Sequence, residues 1–435
     1  MHTVHAALQT APQQQRAVRQ LALSLRSRAR GVRRALTLAR HSQRRLHHRL
    51  NHLKTELRST QQHVEAEVGE FIQSPHLLFR PVSLVLALSL PLIVPLLFMP
   101  TRLLLLYAVC FAAWYVACLL LFATEVAMRP PWYKVGLPVK HLPPYWSGFV
   151  HDPKTDLGLD YENVAFQTPT GRTLRGWYVG SSPHVIVFVH GVGRDRRAFL
   201  RHVHHFVAQG YAVLLFDLSE HGLSDTSIPD APRGSLFGAR EQYDVLAAVS
   251  FAVNEKNASA VALVGTSCGA SSAIQAAALA PQNIVAVVAE NPFSRADNLL
   301  THHLHQISEN YLSQNSHQTV RKALFWLAGR VLMIRMGYYC SSYGAVDAVE
   351  NLKCPLLVAH STADDVVPYE HGVHIYERAK SVLGTDAHFL RYDDAAHCAL
   401  FDKDPALWTS RVLPFVHDAF VRFQALTVHA DVKTE

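Results

Sequence analysis

Ser267 stands between two glycines in a stretch whose residue types and spacing suit covalent chemistry. Residues 265–269 read G-T-S-C-G; they follow an apolar run typical of a buried strand and precede small residues suited to a close-packed helix. Glycines two positions before and after the serine permit a strand-to-helix turn too tight for larger residues. Such a turn lifts the hydroxyl out of the sheet and sets the first helical amide beside a developing oxyanion. We therefore predict Ser267 as a nucleophile and the Cys268 amide as an oxyanion donor.

A serine hydroxyl is a weak nucleophile, so it needs a base, and the base needs a group that orients it. Asp364 and Asp365 follow an apolar run at 355–360, and His397 follows a second run at 387–392. We predict His397 as the base and Asp364 as the acid, with Asp365 as the reserve choice. Taken singly, each of these residues also fits an ordinary turn or loop.

The elements that must position these residues alternate between short apolar runs and helical stretches. Unbroken runs such as V-I-V-F-V, A-V-L-L-F and I-V-A-V-V are typical of strands covered on both faces. Predicted strands span residues 161–167, 173–179, 184–190, 211–217, 260–265, 284–290, 355–360 and 387–392, and predicted helices lie near 196–208, 238–254, 267–280, 369–383 and 405–425. This alternation predicts an α/β architecture, with a mostly parallel sheet flanked by helices.

Four motifs within residues 150–425 resemble those of the α/β-hydrolase superfamily, in particular its serine-hydrolase branch of small esterases, monoacylglycerol-lipase-like enzymes and related peptidases. The motifs are V-I-V-F-V-H-G-V-G at 185–193, D-L-S-E-H-G-L-S at 217–224, G-T-S-C-G at 265–269 and D-D-V-V-P at 364–368. The chain order serine, aspartate, histidine is also that of this fold. The resemblance implies acyl transfer to water through a covalent intermediate, with no cofactor and no metal.

The same resemblance assigns further residues around the nucleophile. An amide just after the His-Gly pair completes the oxyanion hole in the family, and we carry that role to Val192, with Gly191 as the second choice. We expect His190 and Gly191 to border the bound substrate. Ser219 and Glu220 stand where the family has arginine and glycine. Because those two residues usually support the loop, the departure puts its packing in doubt rather than the chemistry.

Residues 293–346 form a longer connection than a simple strand-to-helix link needs. Family members use insertions at this place as a lid over the acyl pocket, and residues 317–339 read as an amphipathic helix suited to that role. We expect Phe293 and Trp326 to line the pocket, with Phe325, Leu332 and Met333 also available to face inward. A fatty acyl chain would suit these side chains. A packing excursion without a lid function is the alternative.

The first 80 residues carry 14 Arg or Lys against four Glu, a net charge of +10, whereas the whole chain carries +7. Apolar residues recur at a 3.5-residue spacing from Val18 to Phe71, which is the repeat of a coiled-coil seam. We predict a basic, helical, coiled-coil segment over residues 1–80, through which copies of the chain form a homo-oligomer. A helix lying flat on anionic lipid and a disordered segment are the alternatives.

Residues 81–127 are apolar, and Arg102 is the only charge up to residue 124. Because one crossing needs roughly 20 apolar residues, this length predicts two transmembrane helices that fold back near Arg102. Pro91 and Pro95 interrupt the first segment, so a re-entrant segment with a single crossing is the alternative. The predicted catalytic domain then occupies residues 128–435.

The charge distribution also predicts the orientation of the chain. A strongly basic segment ahead of the first span favours the cytoplasm, so two crossings return the catalytic domain to that same side of the membrane. The six cysteines lack the paired spacing of a disulfide framework or a zinc site, which fits a reducing compartment. The 27 histidines lack carboxylates at ligand spacing, so we expect no metal. Few aromatic residues accompany the basic segment, which argues against a nucleic-acid partner.

Together these features predict a membrane-anchored serine hydrolase that cleaves an ester or thioester, with a lipid or acylated molecule as its substrate. A peptidase and a protein-depalmitoylating thioesterase of the same fold are alternatives. A third alternative, from another functional class, is a catalytically silent membrane scaffold assembled by the coiled coil.

Overall fold

The computed structural model describes residues 100–128, 152–226, 234–279, 282–311, 323, 326–331, 334 and 344–432. The chain divides into two units, Met1–Pro75 and His76–Glu435, and all of the described residues belong to the second. The predicted coiled coil over residues 1–80 and the first predicted membrane segment lie outside the described residues. Both stay predictions of the sequence.

Helix α1, Thr101–Met128, covers the second predicted membrane segment. Within the part of the chain that the structure describes, no helix is both long and apolar enough to cross a membrane. The two-span arrangement and the cytoplasmic placement of the catalytic domain remain predictions.

Eight strands form one sheet, and each begins and ends within one residue of its predicted bounds. They are β1 Tyr161–Gln167, β2 Thr173–Val179, β3 His184–Val189, β4 Ala212–Phe216, β5 Ala260–Thr266, β6 Ile284–Glu290, β7 Leu356–Ser361 and β8 Ala387–Tyr392. Their order across the sheet is β1-β2-β4-β3-β5-β6-β7-β8. The β1–β2 and β2–β4 pairs are antiparallel, and all the others are parallel. The predicted mostly parallel sheet is therefore confirmed.

Helices cover both faces of this sheet. In chain order they are α2 Pro153–Leu157, α3 Leu200–Val207, α4 Glu241–Asn254, α5 Cys268–Leu279, α6 Ala296–Tyr311, α7 Ala345–Ala348, α8 Tyr369–Leu383, α9 Leu400–Lys403 and α10 Pro405–Val432. Short 3₁₀ segments span Arg196–Phe199, Val349–Asn351 and Gly384–Asp386. One buried apolar cluster joins the sheet to α4, α5 and α8, and a second joins its other face to α3 and α10. Since both faces are covered, every residue of β4, β5, β6 and β7 is buried.

The loop after β4 shows how the chain accommodates its departure from the family motif. Ser219 donates hydrogen bonds from its backbone N–H and its hydroxyl to the two carboxylate oxygens of Asp244, both at 2.8 Å. Glu220 has a left-handed backbone with φ of 67°, and its buried carboxylate accepts from Arg172 at 2.6 Å. The loop is therefore anchored by buried polar contacts, which answers the question that the sequence raised about its packing.

Because β3 and β5 to β8 run parallel, their carboxyl ends meet at one edge of the sheet. The segments that leave this edge carry His190, Ser267, Asn291, Asp364 and His397. In open α/β sheets this edge is where ligands bind.

Candidate active site

Ser267 occupies the single residue between the end of β5 at Thr266 and the start of α5 at Cys268. Its backbone is left-handed, with φ of 55°, a conformation that is strained for a residue with a side chain. The turn is held on both sides: the Ser267 N–H donates to the Glu290 carbonyl at 2.8 Å, and the Ser271 N–H donates to the Ser267 carbonyl at 3.1 Å. The predicted strand-to-turn-to-helix context of the serine is confirmed.

The two flanking glycines are required by close backbone approach. A Cβ atom on Gly269 would lie 2.1 Å from the Val189 carbonyl oxygen, and one on Gly265 would lie 2.5 Å from the Gly269 carbonyl oxygen. Both obstacles are backbone atoms, which cannot rotate away as a side chain does. The G-x-S-x-G spacing therefore follows from the packing of α5 against β3.

His397 lies between Ser267 and Asp364 and is within hydrogen-bond distance of both. Its Nε2 atom is 3.0 Å from Ser267 Oγ, and its Nδ1 atom is 2.8 Å from Asp364 Oδ2 and 3.0 Å from Oδ1. An ionised carboxylate only accepts hydrogen bonds, so Nδ1 carries a proton. In the neutral ring, Nε2 is then the acceptor that faces the serine hydroxyl. The structure thus brings together the three residues predicted as base, acid and nucleophile.

Asp364 is buried and accepts several hydrogen bonds besides that of His397. Oδ1 accepts from the N–H groups of Val366 at 3.0 Å and Val367 at 2.8 Å, and Oδ2 accepts from Asn291 Nδ2 at 2.7 Å. Burial alone would raise the pKa of this carboxyl, but the charge of His397 and hydrogen bonds from His360, His397 and Val367 hold the pKa well below its usual range. Asp365, the reserve choice, is exposed.

The pKa of His397 is shifted in the opposite direction. Burial alone would lower the pKa of the ring, but the charges of Cys398 and Asp364 and their hydrogen bonds raise it above its ordinary value of 6.5. The ring therefore holds its second proton more tightly than a free imidazole does.

The loop after β3 also comes close to Ser267. It turns at Gly193, with φ of 72°, and the Arg194 N–H donates to the Gly191 carbonyl at 3.3 Å. A Cβ atom on Gly191 would lie 3.1 Å from Ser267 Cβ, so glycine allows this approach. Val192 packs against the apolar cluster that contains Cys268. The two predicted oxyanion donors thus lie on segments that adjoin the nucleophile.

His190 has a supporting place in this loop. Its side chain is only 1% exposed; Nδ1 donates to the Gly191 carbonyl at 2.8 Å and Nε2 accepts from the Leu218 N–H at 3.0 Å. Burial lowers the pKa of the ring, which keeps it neutral. Both nitrogens are used within the protein, so we correct the expected role of His190 from bordering the substrate to holding the loop.

Of the two aromatic residues predicted for the substrate pocket, one lies beside the nucleophile helix. Phe293 is 1% exposed and belongs to the cluster of Cys268, with its ring centroid 6.3 Å from that of Phe237. Trp326 lies in the helical residues 326–331, and 63% of its side chain is exposed, with the Arg330 guanidinium 5.1 Å from its ring. Phe325, Leu332 and Met333 lie outside the described residues, so the lid stays a prediction.

Two residues that contact Asp364 were not predicted. Asn291 Nδ2 donates to Oδ2, and His360 Nε2 lies 3.4 Å from the same oxygen. The available signal was position, because Asn291 directly follows β6 and His360 belongs to β7, at the edge where the site forms. Among the described residues, no group of three or more His, Cys, Asp or Glu side chains is placed to hold a metal ion.

Comparison with known proteins gives a family match over part of the chain. Residues 180–326 match the profile of the family described as serine aminopeptidase, S33. The uncharacterized protein YqkD of Bacillus subtilis (strain 168) is 24% identical over 276 residues, which cover 60% of this chain and 84% of that protein. A second relative, the alpha/beta hydrolase domain-containing protein aho-3 of Caenorhabditis elegans, is 46% identical over 39 residues, or 9% of this chain and 12% of that protein.

Among solved structures, the esterase Pf2001 of Pyrococcus furiosus aligns with a TM-score of 0.48 at 23% identity and covers 61% of this chain and 95% of that chain. An acylaminoacyl peptidase of Pyrococcus horikoshii aligns with a TM-score of 0.44 at 16% identity, covering 61% of this chain and 43% of that chain. The family match spans β3 to β6 and includes the G-x-S-x-G turn. The sheet order, the turn at Ser267 and this match agree with the α/β-hydrolase fold, and residues 180–326 are similar to serine hydrolases of that superfamily.

Proposed function

We propose that this hydrolase cleaves carboxylic esters or thioesters through an acyl-enzyme formed on Ser267, and that the acyl group is lipid-like. The observation that carries the proposal is the continuous set of contacts from Asp364 through His397 to Ser267, at 2.8 and 3.0 Å. A nucleophilic serine requires a base within hydrogen-bond reach and a third group that orients the base, and His397 and Asp364 meet these two requirements.

In the proposed first step, His397 Nε2 takes the Ser267 hydroxyl proton as Oγ bonds to the substrate carbonyl carbon. The negative charge that develops on the carbonyl oxygen is received by the amides of Val192 and Cys268, each contributing on the order of 3 kcal/mol to lowering the barrier. The bond to the leaving oxygen or sulfur then breaks, and His397 returns the proton to it. Water repeats the sequence and releases the acid. Asp364 holds the imidazole in the tautomer that both halves need.

The lipid-like acyl group is supported by apolar surroundings of the nucleophile. Cys268, next to Ser267, packs in a cluster with Phe237, Phe293, Leu299 and Leu300. Val192 from the loop after β3 and Val366 from the acid loop pack against the same cluster. An acyl chain that packed against the partly buried Val192 and Val366 would gain about 0.8 kcal/mol for each methylene that it removed from water. The second support is the apolar sequence at 81–127. If it anchors the protein in a membrane as predicted, the active site lies beside the bilayer and can reach poorly soluble substrates.

A peptidase is the second candidate, and the family description of residues 180–326 as serine aminopeptidase favours it. Amides and esters share the acyl-enzyme route, so the same three residues would serve both. The two candidates differ in the leaving group that His397 must protonate. A catalytically silent scaffold is disfavoured by the intact contacts of Ser267, His397 and Asp364.

The proposal is tested by labelling and by a substrate panel on the full chain. A fluorophosphonate probe is expected to modify one site, and peptide mass spectrometry is expected to place the adduct on Ser267. In parallel, aryl esters with acyl chains from acetyl to palmitoyl, an acyl thioester and an aminoacyl amide are compared by kcat/KM. We expect rates to rise with chain length on esters. An adduct elsewhere would refute the nucleophile, and preference for the amide would select the peptidase.

The pH profile gives a further prediction. His397 must be neutral to accept the serine proton, and its pKa lies above 6.5. Below the raised pKa the ring is protonated and inactive as a base, so kcat/KM is expected to rise with pH through a limb centred above 6.5. Initial rates on a neutral ester across the pH range measure this limb. A limb centred at or below 6.5 would contradict the predicted environment of His397.

A further inference from the structure

We propose that Asn291 is a positioning residue that fixes the carboxylate of Asp364 for catalysis. The inference rests on the proposed function and adds to it a residue outside the set of nucleophile, base and acid. It is carried by three observations at one residue: a short hydrogen bond to the acid, an unsatisfied buried oxygen and a strained backbone.

The first observation is the contact itself. Asn291 directly follows β6, is fully buried, and places Nδ2 2.7 Å from Asp364 Oδ2. Only the amide nitrogen can face a carboxylate at this distance, because the amide oxygen would set one acceptor against another. The amide is therefore oriented by its partner, with Nδ2 as the donor.

This contact completes the fixation of the carboxylate. Two backbone N–H groups, from Val366 and Val367, hold Oδ1. Oδ2 accepts from Asn291 and His397 at 2.7 and 2.8 Å, and His360 Nε2 lies further away at 3.4 Å. Without the amide, Oδ2 would keep His397 Nδ1 at 2.8 Å and the more distant His360 Nε2 at 3.4 Å, and would lose its shortest hydrogen bond. The N–H groups of Val366 and Val367 would still hold Oδ1, but the carboxylate would have more freedom to turn about its Cβ–Cγ bond and would orient the imidazole less firmly toward Ser267. Asn291 thus acts through Asp364 and His397 rather than on the substrate.

The second and third observations are local costs at the same residue. Asn291 Oδ1 is buried and has no hydrogen-bond partner among the described residues, which costs roughly 1–3 kcal/mol. The backbone of Asn291 is left-handed, with φ of 49°, and such strain costs on the order of 1 kcal/mol or more. Both costs occur at the residue that touches the acid. Strained and unsatisfied groups persist where function requires them.

The experiment compares matched substitutions at two asparagines of the full chain. Asn291→Gly keeps the left-handed backbone and removes the amide, and Asn291→Asp keeps the shape and replaces the donor with an acid. Asn257 is the control site, because it is also left-handed, with φ of 56°, but exposed and ahead of β5. Asn257→Gly and Asn257→Asp report what the same chemical changes do to folding away from the acid. Melting temperature, kcat, KM and pH profile are measured on one ester for all four.

Asn291→Gly is expected to lower kcat roughly 10- to 100-fold with little change in KM, since a hydrogen bond to a charged group is lost while substrate contacts remain. In Asn291→Asp the new carboxyl group and Asp364 lie too close for both to ionise, so they share one proton. That proton lets the new group donate in place of the amide. As it is lost at higher pH, kcat/KM is expected to fall, which gives an alkaline limb that the wild type lacks.

The outcomes separate this inference from the proposed function. Both Asn257 variants are expected to keep the wild-type kcat and pH profile. If the Asn291 variants lose melting temperature but keep kcat and the profile, Asn291 is structural and the inference is overturned. Ser267→Ala is measured alongside: an active Ser267→Ala variant refutes the proposed function itself, whatever the Asn291 variants do. Should Asn291→Gly not fold, the alkaline limb of Asn291→Asp decides alone.

Discussion

Replacement of Ser267 by alanine is expected to lower kcat/KM by roughly 10⁴- to 10⁶-fold and to abolish fluorophosphonate labelling. Alanine removes the hydroxyl oxygen that bonds to the acyl carbon in the proposed mechanism. His397 then faces a methyl group instead of a hydroxyl, so no acyl-enzyme forms. The residual rate would come from substrate binding and the oxyanion donors. Single-turnover and steady-state assays with a chromogenic ester measure the loss.

The fold of this variant is expected to stay intact, because the contacts that hold the turn are made by backbone atoms of Ser267. Ser272→Ala is the matched control. Ser272 lies one turn further along α5, is fully buried, and its hydroxyl donates to the Cys268 carbonyl at 2.7 Å. We expect that variant to retain activity within a few-fold. If Ser267→Ala kept the wild-type rate after contaminating esterases were excluded, the nucleophile would have to be sought elsewhere.

Ser267 could be predicted from the sequence because its environment is set by local rules. A buried strand, two glycines at fixed spacing and a helix of small residues together permit one kind of turn, and the structure has it. The strands could be predicted for a related reason: when both faces of a strand are covered, the apolar run is unbroken and its ends are sharp. Asp364 and His397 then followed from chain order, since parallel strands bring their carboxyl ends to one edge.

The partners of Asp364 could not be predicted in the same way, because they depend on side-chain geometry across neighbouring strands. Asn291 and His360 are separated from Asp364 by very different distances along the chain, yet both lie within 3.4 Å of the same oxygen. No spacing rule connects such residues. Asparagine after a strand also fits an ordinary turn, so its identity alone carries little signal.

The roles of His190 and Trp326 show a second limit of prediction from the sequence. A motif fixes where a residue lies in the chain but not which neighbours its side chain selects. Both ring nitrogens of His190 form hydrogen bonds with the backbone, at Gly191 and Leu218. Trp326 lies at the surface beside Arg330. Substrate contacts depend on such choices, which is why the chemistry of this protein could be predicted further than its specificity.

Asp364→Asn is expected to lower kcat by about 10⁴-fold at neutral pH while leaving the protein folded. The amide nitrogen of the new side chain can donate to His397 Nδ1, which favours the tautomer with the proton on Nε2. That tautomer cannot accept the Ser267 proton. Removing the carboxylate also removes one of the charges that raise the pKa of His397, so the acid limb of kcat/KM is expected to move to lower pH. Rate measurements across the pH range test both effects together.

Asp365→Asn is the control, since this neighbouring side chain carries the same charge but is exposed rather than buried. It is expected to change kcat by no more than a few-fold and to leave the acid limb in place. The two variants together decide whether Asp364 or Asp365 is the acid that orients His397. If Asp365→Asn lost activity and Asp364→Asn kept it, the contact of 2.8 Å between His397 and Asp364 would not be the one that orients the base. The acid would then have to reach His397 from the exposed side of the loop, and the role proposed for Asn291 would fail with it.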